Sequence, residues 1–316
     1  MTIGQRLSAG PFVEVPPRRR NIRIPVSSRR AAMAGLTLYA PCRRRVLLMH
    51  HAGWALVALT GPRSVRGPRA PWAPSTGQGV WDALSEQWET RFGRIDTVAI
   101  YQRPQASRSG VSVLLLSEDT PVAFVKLRQD DRLQGAALAL SALESRPSPH
   151  FEAPVPLATG ECGQWRWLAI SALPAIPHRP PRRPPLVAIV NDIKERLSGA
   201  MPREGAPDHW EPMHGDLTPW NLRRVGLRGL WLLDWESAGW GPPGADLVYY
   251  AATASVLLGR GFRRHEGDDE AVQYWQARVA RRPITDYDCE LNLELRRILA
   301  VEGAGPVPSP VPPTDR

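Results

Sequence analysis

The sequence predicts an α+β protein of two lobes. A small lobe with an antiparallel sheet precedes a mainly helical lobe, and a basic N-terminal extension precedes both. Three observations support this prediction. Three β-rich runs follow one another between residues 97 and 127. Beyond residue 186 the apolar residues recur mainly at helical spacing. The excess of positive charge is confined to the first 66 residues.

Length and composition limit the class of protein. The chain has 316 residues, 43% hydrophobic and 22% charged, which excludes a fibre, a mini-protein and a repeat array. Its net charge is +9, but residues 1–66 contain twelve arginines and one acid, Glu14, so the rest of the chain is nearly neutral. The three cysteines have no paired spacing, so we expect neither a disulfide framework nor a thiolate zinc site, and a cytoplasmic location.

Residues 1–80 are predicted to form the Arg- and Pro-rich extension, with short helices at 31–39 and 46–59. The apolar run 46–59 is shorter than the roughly 18 residues of a spanning helix, so we expect no transmembrane segment. The extension has three interpretations: a solubilising tail, a clamp on an anionic phosphate, or a surface that attaches to nucleic acid or an anionic membrane through residues 1–66. Arginine triplets with few interleaved aromatics argue against sequence-specific nucleic-acid binding.

The small lobe is predicted to span residues 81–173. Trp81, Leu84 and Trp88 recur at helical spacing, and Gly93 is the predicted end of that helix. Turn-forming residues separate the β-rich runs that follow. We therefore expect three antiparallel strands, one helix and a further strand, at residues 97–101, 111–118, 121–127, 132–143 and 165–173.

The helical lobe is predicted to span residues 174–302. A short Pro-rich tail with little apolar bulk, 303–316, is expected to be disordered. Apolar periodicity predicts helices at residues 186–197, 245–258, 269–281 and 288–299. One interruption, residues 213–244, contains the side chains with the most distinctive chemistry.

Within this interruption, Asp216 and Asn221 lie five residues apart, and the strand-like run 222–225 follows them. A glycine-bearing turn then leads to a second apolar run that ends in Asp234. If the two runs pair as a hairpin, Asn221 and Asp234 meet at its open end, with Asp216 just beyond. Carboxylate and amide oxygens suit Mg²⁺, and a further carboxylate facing a nucleophile can accept its proton. Phosphoryl transfer uses this combination of groups.

Two segments, HGDLTPWN and LLDWESAGWGPPGADL, resemble the catalytic core of the aminoglycoside phosphotransferase and choline kinase family, small-molecule relatives of protein kinases. The resemblance implies a protein-kinase-like fold that binds ATP and Mg²⁺ and transfers the γ-phosphate to a hydroxyl of a small molecule. It implies that Asp216 is the catalytic base and that Asn221 and Asp234 hold Mg²⁺. It also implies that His214 and Asp246 support the loop.

The resemblance also implies a nucleotide site in the small lobe. Lys126 stands where this family places a lysine that contacts the nucleotide phosphates, and the chain has only one other lysine. The alternative is an edge-strand lysine whose stem packs on the surface. Ser107, Ser109 and Gly110 lie in the loop that would face phosphate, although this loop has a single glycine. The adenine is expected in an apolar slot beside the last strand of the lobe and residues 172–175.

One departure from the family concerns Gln134. The helix after the lysine strand should offer a glutamate to Lys126, and an amide orients an ammonium without neutralising it. This departure favours an alternative function, a non-catalytic kinase-like binding module whose basic extension recruits an anionic or protein partner. A third interpretation is a nucleic-acid binder that acts through the extension alone.

Overall fold

The computed structural model of the protein describes residues 1–15, 21–102, 110–203, 205–226, 229–263, 265, 267–283 and 289–300. The predicted phosphate-facing residues Ser107 and Ser109 and the predicted tail 303–316 lie outside the described residues. Within the described part, the chain up to about residue 170 contains both helices and antiparallel strands, and helices dominate beyond it.

The first part of the chain forms helices and short strands. It contains α1 (Ile3–Ala9), β1 (Phe12–Val15), β2 (Ile22–Pro25), α2 (Arg29–Leu36), α3 (Arg44–Thr60) and β3 (Arg69–Ala70). The next part contains α4 (Gln78–Phe92), β4 (Thr97–Gln102), β5 (Val111–Ser117), β6 (Thr120–Arg128), α5 (Arg132–Ser145), β7 (Pro156–Cys162) and β8 (Trp165–Ile170). The predicted strands and helices of the small lobe are confirmed, each within a few residues of its expected bounds.

These strands form one sheet in the order β3-β1-β2-β4-β5-β6-β8-β7. The pairs β4–β5, β5–β6 and β6–β8 are antiparallel, as the turn residues between them predict. Helix α4 packs on the sheet with Trp81, Leu84 and Trp88 fully buried. Its Trp81 ring meets the Trp88 ring edge to face at 5.3 Å.

Three strands from the first 70 residues belong to this sheet as well. Strand β1 pairs with β2, and β2 pairs with β4, so the basic segment extends the sheet by three strands. Phe12, Ile22 and Ile24 are buried in it. The sequence predicts a separate extension instead. Strands β1 and β2 have only four residues each, so they show little periodicity, and their positions are set by pairing with distant strands. A domain boundary at residue 80 stays a prediction.

The second part of the chain is mainly helical. It contains β9 (His178–Arg179), α6 (Leu186–Leu197), β10 (Glu211–Met213), β11 (Leu222–Val225), β12 (Leu230–Leu232), β13 (Gly239–Gly241), α7 (Ala245–Leu258), α8 (Asp269–Ala280) and α9 (Cys289–Ala300). The four predicted helices are confirmed. Strands β12, β11 and β9 form a small antiparallel sheet, and β10 pairs with β13.

One apolar core joins the two parts. It includes Leu140 of α5, Leu168 of β8, Ile193 of α6 and Leu232 of β12. Trp235, in the 3₁₀ turn after β12, is also fully buried there. Because burial of each such side chain stabilises the fold by roughly 2 kcal/mol, the core holds the β11–β12 hairpin firmly against the main sheet.

Candidate active site

The predicted hairpin forms. Strand β11 pairs with β12 in an antiparallel register that places Leu222 opposite Leu232. At its open end the Leu233 amide donates a hydrogen bond to the Asn221 carbonyl oxygen at 2.9 Å. The residue before β11, Asn221, therefore lies beside Asp234, which follows Leu233. The hairpin thus makes these two residues neighbours at its open end.

Asn221 also holds Asp216. Its Nδ2 atom donates to the Asp216 carboxylate Oδ2 and to the Asp216 carbonyl oxygen, both at 2.9 Å. Because the amide nitrogen faces Asp216, Oδ1 is the acceptor end of the Asn221 side chain. The loop thus presents one oriented carboxylate and one amide oxygen next to Asp234.

Asp246, at the start of α7, fixes the backbone of the loop. Its carboxylate accepts hydrogen bonds from the His214 amide at 2.7 Å and from the Gly215 amide at 3.0 Å. Burial raises the pKa of Asp246 to about 6, and these backbone hydrogen bonds oppose the rise. Gly215 has φ +74°, and a Cβ atom there would lie 2.0 Å from the Ser237 carbonyl oxygen, so the loop requires glycine at this position.

His214 connects the loop to the end of β12. Its Nε2 donates to the Leu233 carbonyl oxygen at 2.9 Å, and its Nδ1 accepts from the Asp216 amide at 3.1 Å. These partners select the neutral ring with the proton on Nε2. Burial lowers the pKa of His214 to about 4, so the ring stays neutral near pH 7. His214 therefore positions the Asp216 backbone.

Lys126 meets Asp234 from the main sheet. Its Nζ lies 2.5 Å from Asp234 Oδ1 and 2.9 Å from Glu236 Oε1. Strand β6 lies between β5 and β8, and Lys126 is only 6% exposed. The alternative of an edge-strand lysine is therefore wrong, because this ammonium is buried among carboxylates.

Glu236 and Arg128 complete the ionic cluster, and neither is among the predicted site residues. Arg128 donates from Nε and Nη2 to the two Glu236 oxygens, at 2.9 and 2.7 Å. Both side chains are buried. The signal was present in the sequence: Arg128 lies two residues beyond Lys126, on the same face of β6, and Glu236 lies two beyond Asp234. Two buried cations thus face two carboxylates.

Asp234 has backbone angles of φ 64° and ψ 65°. This left-handed conformation costs a residue with a side chain on the order of 1 kcal/mol, and it persists only where the surroundings impose it. Here it turns the chain from β12 into the 3₁₀ turn at Trp235–Ser237 and brings the Asp234 carboxylate to Lys126. The strained residue is thus one of the predicted metal ligands.

Gly110 and Gln134, the other two described residues predicted to bind nucleotide, do not lie together. Gly110 precedes β5, and a Cβ atom there would lie 2.7 Å from Arg128 Nη1 and 3.0 Å from the Leu127 carbonyl oxygen. It therefore packs beside the ionic cluster. Gln134 is exposed on α5. The carboxylates at Lys126 come instead from Asp234 and Glu236.

The expected adenine slot is filled by α2. Phe124 lies on the same face of β6 as Lys126, and Leu114 is paired with Phe124 on β5. On this face, Ala31 and Ala34 of α2 pack in one cluster with Leu114 and Phe124. The same cluster includes Ala172 and Ala175, the residues expected beside adenine. Helix α2 thus lies between the lysine-bearing face of the sheet and the segment that follows β8.

The α2–α3 connection also contacts the hairpin. Arg223 of β11 is fully buried and donates to His178 Nδ1 at 3.0 Å and to the Pro41 carbonyl oxygen at 3.3 Å. His178 Nε2 lies 3.0 Å from the Thr37 carbonyl oxygen. Burial lowers the pKa of Arg223 to about 10 and that of His178 to about 3. Residues 37–41 are therefore bound to the back of the hairpin.

The loop and the hairpin lie in a part of the chain that matches a known protein family. The model of the phosphotransferase enzyme family, APH, matches residues 128–289, slightly more than half of the chain. The chain belongs to this family. The match contains the loop and the hairpin and begins two residues after Lys126. Together with the antiparallel sheet and the helical second part, it confirms the predicted protein-kinase-like fold with a small sheet lobe and a mainly helical lobe.

Solved structures give more distant similarities. The chain is similar to spectinomycin phosphotransferase APH(9)-Ia, solved with ADP and spectinomycin, with 11% identity, 68% of this chain and 93% of that chain covered, and a TM-score of 0.43. It is similar to APH(2")-IIia, solved with GDP and kanamycin, with 12% identity, 68% and 87% covered, and a TM-score of 0.41. It is also similar to amicoumacin kinase hAmiN, with 10% identity, 70% of this chain and 85% of that chain covered, and a TM-score of 0.36. A comparison with curated proteins gave no match.

Proposed function

We propose that this phosphotransferase uses ATP and transfers its γ-phosphate to a hydroxyl of a small molecule. The observation that carries the proposal is the meeting of Lys126, Asp234, Asn221 and Asp216 at the open end of one hairpin. A buried ammonium, an oriented carboxylate and two further oxygen donors are the groups that phosphoryl transfer needs. Membership of the phosphotransferase family supports it.

Asp216 is the proposed base. Asn221 holds its carboxylate, and His214 holds its backbone, so Asp216 is oriented before a substrate arrives. A carboxylate fixed in this way accepts the proton of a hydroxyl that lies within hydrogen-bonding distance. A fixed base also orients the acceptor hydroxyl. This contributes to catalysis because the acceptor loses its orientational entropy on binding, before the reaction step.

Asn221 and Asp234 are the proposed Mg²⁺ ligands. In the described part of the chain, no group of three or more His, Cys, Asp or Glu side chains is placed to hold a metal ion. The Asn221 Oδ1 and Asp234 oxygens fit an ion whose remaining ligands are water and phosphate, which is the usual coordination of Mg²⁺. When bound, Mg²⁺ neutralises phosphate charge and orients the leaving group.

Glu236 supports the enzymatic function over the non-catalytic alternative that Gln134 suggested. At 2.9 Å from Lys126, its carboxylate provides the charge that position 134 lacks. Lys126 is thus neutralised and oriented from the hairpin side. We propose that Glu236 replaces the helix glutamate of the family in this chain.

Helix α2 favours a second candidate function. Because Ala31 and Ala34 fill the expected slot, a nucleotide base enters it only after α2 moves. We propose that ATP binds with α2 displaced. If α2 keeps the slot closed, the chain is a non-catalytic kinase-like module, and the two functions differ in whether nucleotide binds at all.

Thermal unfolding with and without ATP and Mg²⁺ tests the proposal. We expect ATP with Mg²⁺ to raise the melting temperature, since a ligand that binds only the folded state stabilises it. Asp234→Asn should abolish the rise, whereas Asp269→Asn, an exposed acid at the start of α8, should leave it unchanged. A folded wild-type sample whose melting temperature does not change with ATP and Mg²⁺ would exclude ATP use.

A further inference from the structure

Helix α3 exposes an apolar stripe. Six of its outward residues are spaced at i, i+1, i+4, i+7, i+8 and i+11, which places them on one face of the helix. All six are exposed and apolar: Leu48, Met49, Ala52, Ala55, Leu56 and Leu59. Leu48, Met49 and Leu59 are 68%, 75% and 78% exposed. A solvated helix face normally carries polar side chains here, so this face is suited to an apolar contact.

The opposite face of α3 already packs on the protein. Val57 is 2% exposed and belongs to the core beneath α2. His50 Nε2 lies 2.9 Å from the Leu36 carbonyl oxygen. One face of the helix is therefore packed on the rest of the protein, and the exposed stripe lies on the other face.

Arginines flank the stripe at both ends. Arg43, Arg44 and Arg45 are exposed where α3 begins, and Arg63 and Arg66 are exposed just after it ends. No acidic residue occurs in the sequence between Glu14 and Asp82. The positive end of the helix dipole disfavours cations at the start of a helix, so stability of α3 does not explain the arginine triplet.

A cavity near the end of the helix has the same character. It has a volume of about 460 Å³ and is lined by Val26, Pro62, Arg63 and Arg69. Two guanidinium groups beside an apolar wall suit a phosphate or carboxylate group that is attached to an apolar chain. The cavity thus combines positive charge with an apolar surface, as the stripe and its flanking arginines do.

We propose that α3 docks in the plane of an anionic lipid membrane, with the stripe in the acyl region and the flanking arginines at the headgroups. Helices of this kind combine apolar burial with attraction to anionic lipids. Among the described residues, no helix is both long and apolar enough to cross a membrane. A second copy of the chain fits the stripe less well, because symmetric pairing sets arginines of one copy against arginines of the other.

Flotation of the full chain with lipid vesicles tests the proposal. We expect the protein to float with vesicles of equal parts phosphatidylcholine and phosphatidylserine, to remain unbound with phosphatidylcholine alone, and to be released by salt. Leu48→Gln with Leu59→Gln should lower the partition coefficient by at least about tenfold. The control, Val187→Gln with Leu293→Gln, removes apolar side chains that are 63% and 49% exposed elsewhere and should bind as the wild type does.

The charge has its own test. Replacement of Arg43, Arg44 and Arg45 by glutamine should lower the partition coefficient about 100-fold, since each arginine near an anionic surface strengthens binding roughly fivefold. A control with the same net charge, in which exposed Arg182, Arg183 and Arg263 become glutamine, should retain most of the binding. Equal losses in both triple variants would show that net charge alone acts and would overturn the docking mode.

Two further results would overturn the proposal. One is the absence of binding to phosphatidylserine vesicles in a sample that unfolds cooperatively. The other is a dimer in solution that Leu48→Gln with Leu59→Gln dissociates, which would assign the stripe to a second copy. Melting temperatures of all variants should match the wild type, because every substituted side chain is exposed.

Discussion

At the scale of single residues, two buried cations depend on Glu236. Its two oxygens serve both Lys126 and Arg128, and all three side chains are almost inaccessible to water. Removal of one partner from a buried ionic cluster leaves an uncompensated charge in a medium that solvates it poorly. The position of Lys126 thus depends on a carboxylate supplied by the hairpin.

Glu236→Gln should lower the free energy of unfolding by about 3 kcal/mol, the usual effect of removing one partner from a buried charge pair. Urea denaturation measures this change. Glu161→Gln is the matched control, because Glu161 pairs with Arg166 where the two side chains are 70% and 44% exposed, so water screens their attraction and its loss should have a much smaller effect. Equal effects of the two substitutions would contradict the structural role of Glu236.

Gly215→Ala should destabilise the loop. The added Cβ would meet the Ser237 carbonyl oxygen, and φ is positive, so we expect a loss of at least about 1 kcal/mol and weaker nucleotide-dependent stabilisation. Gly53→Ala serves as the control, because Gly53 lies inside α3 with open space around its Cβ position. There the same substitution should be neutral or stabilising by up to about 1 kcal/mol.

Much of the site could be predicted from residues that are close in sequence. Asp216, Asn221 and Asp234 lie within one loop and hairpin, so their meeting follows from local pairing. The pairing of Lys126 with Glu236 spans 110 positions and depends on how the hairpin docks on the sheet. Periodicity in the sequence does not predict that docking. The sequence therefore pointed to position 134 for the partner of Lys126 and not to Glu236.

At the scale of elements, length decided which strands could be predicted. Strands β5 and β6 have seven and nine residues and a tight turn between them, so the sequence predicts both. Strands β1 and β2 have four residues each, and β2 pairs with β4, which lies more than 70 residues further along the chain. Their burial in the sheet explains why a basic segment is folded rather than free.

The proposed displacement of helix α2 on nucleotide binding can be tested by substitution. Ala34→Glu places a charge in the apolar contact with the sheet and should displace α2, so nucleotide affinity should rise relative to the wild type. Titration calorimetry with ATP and Mg²⁺ measures the affinity. Arg29→Glu puts the same acid at an exposed position of α2 and should leave the affinity unchanged. A folded Ala34→Glu protein with unchanged affinity would show that α2 does not cover the site.

At the scale of the whole molecule, buried titratable groups link stability to pH. The pKa values of His214 and His178 fall to about 4 and about 3, so between these values and about 6.5 the unfolded chain binds more protons. Their contribution to stability therefore rises with pH. Asp246 acts in the opposite direction, because its raised pKa of about 6 lets the folded state bind the extra proton.

With two such histidines against one aspartate, the free energy of unfolding should rise between about pH 4.5 and pH 6. The expected slope is roughly 1.4 kcal/mol per pH unit for each net proton. Urea denaturation across this range measures the slope. A free energy of unfolding that falls as pH rises through this window would contradict the buried neutral state of the histidines.

The cluster at the open end of the hairpin is proposed to transfer phosphate from ATP. The most direct measurement is the transfer of labelled phosphate from ATP with Mg²⁺ to a panel of hydroxylated small molecules, by the wild type, Ala34→Glu and Asp216→Asn. We predict a phosphorylated product, more of it with Ala34→Glu, and a loss of at least about 100-fold with Asp216→Asn. Folded wild-type and Ala34→Glu proteins that form no product and hydrolyse no ATP would contradict the claim.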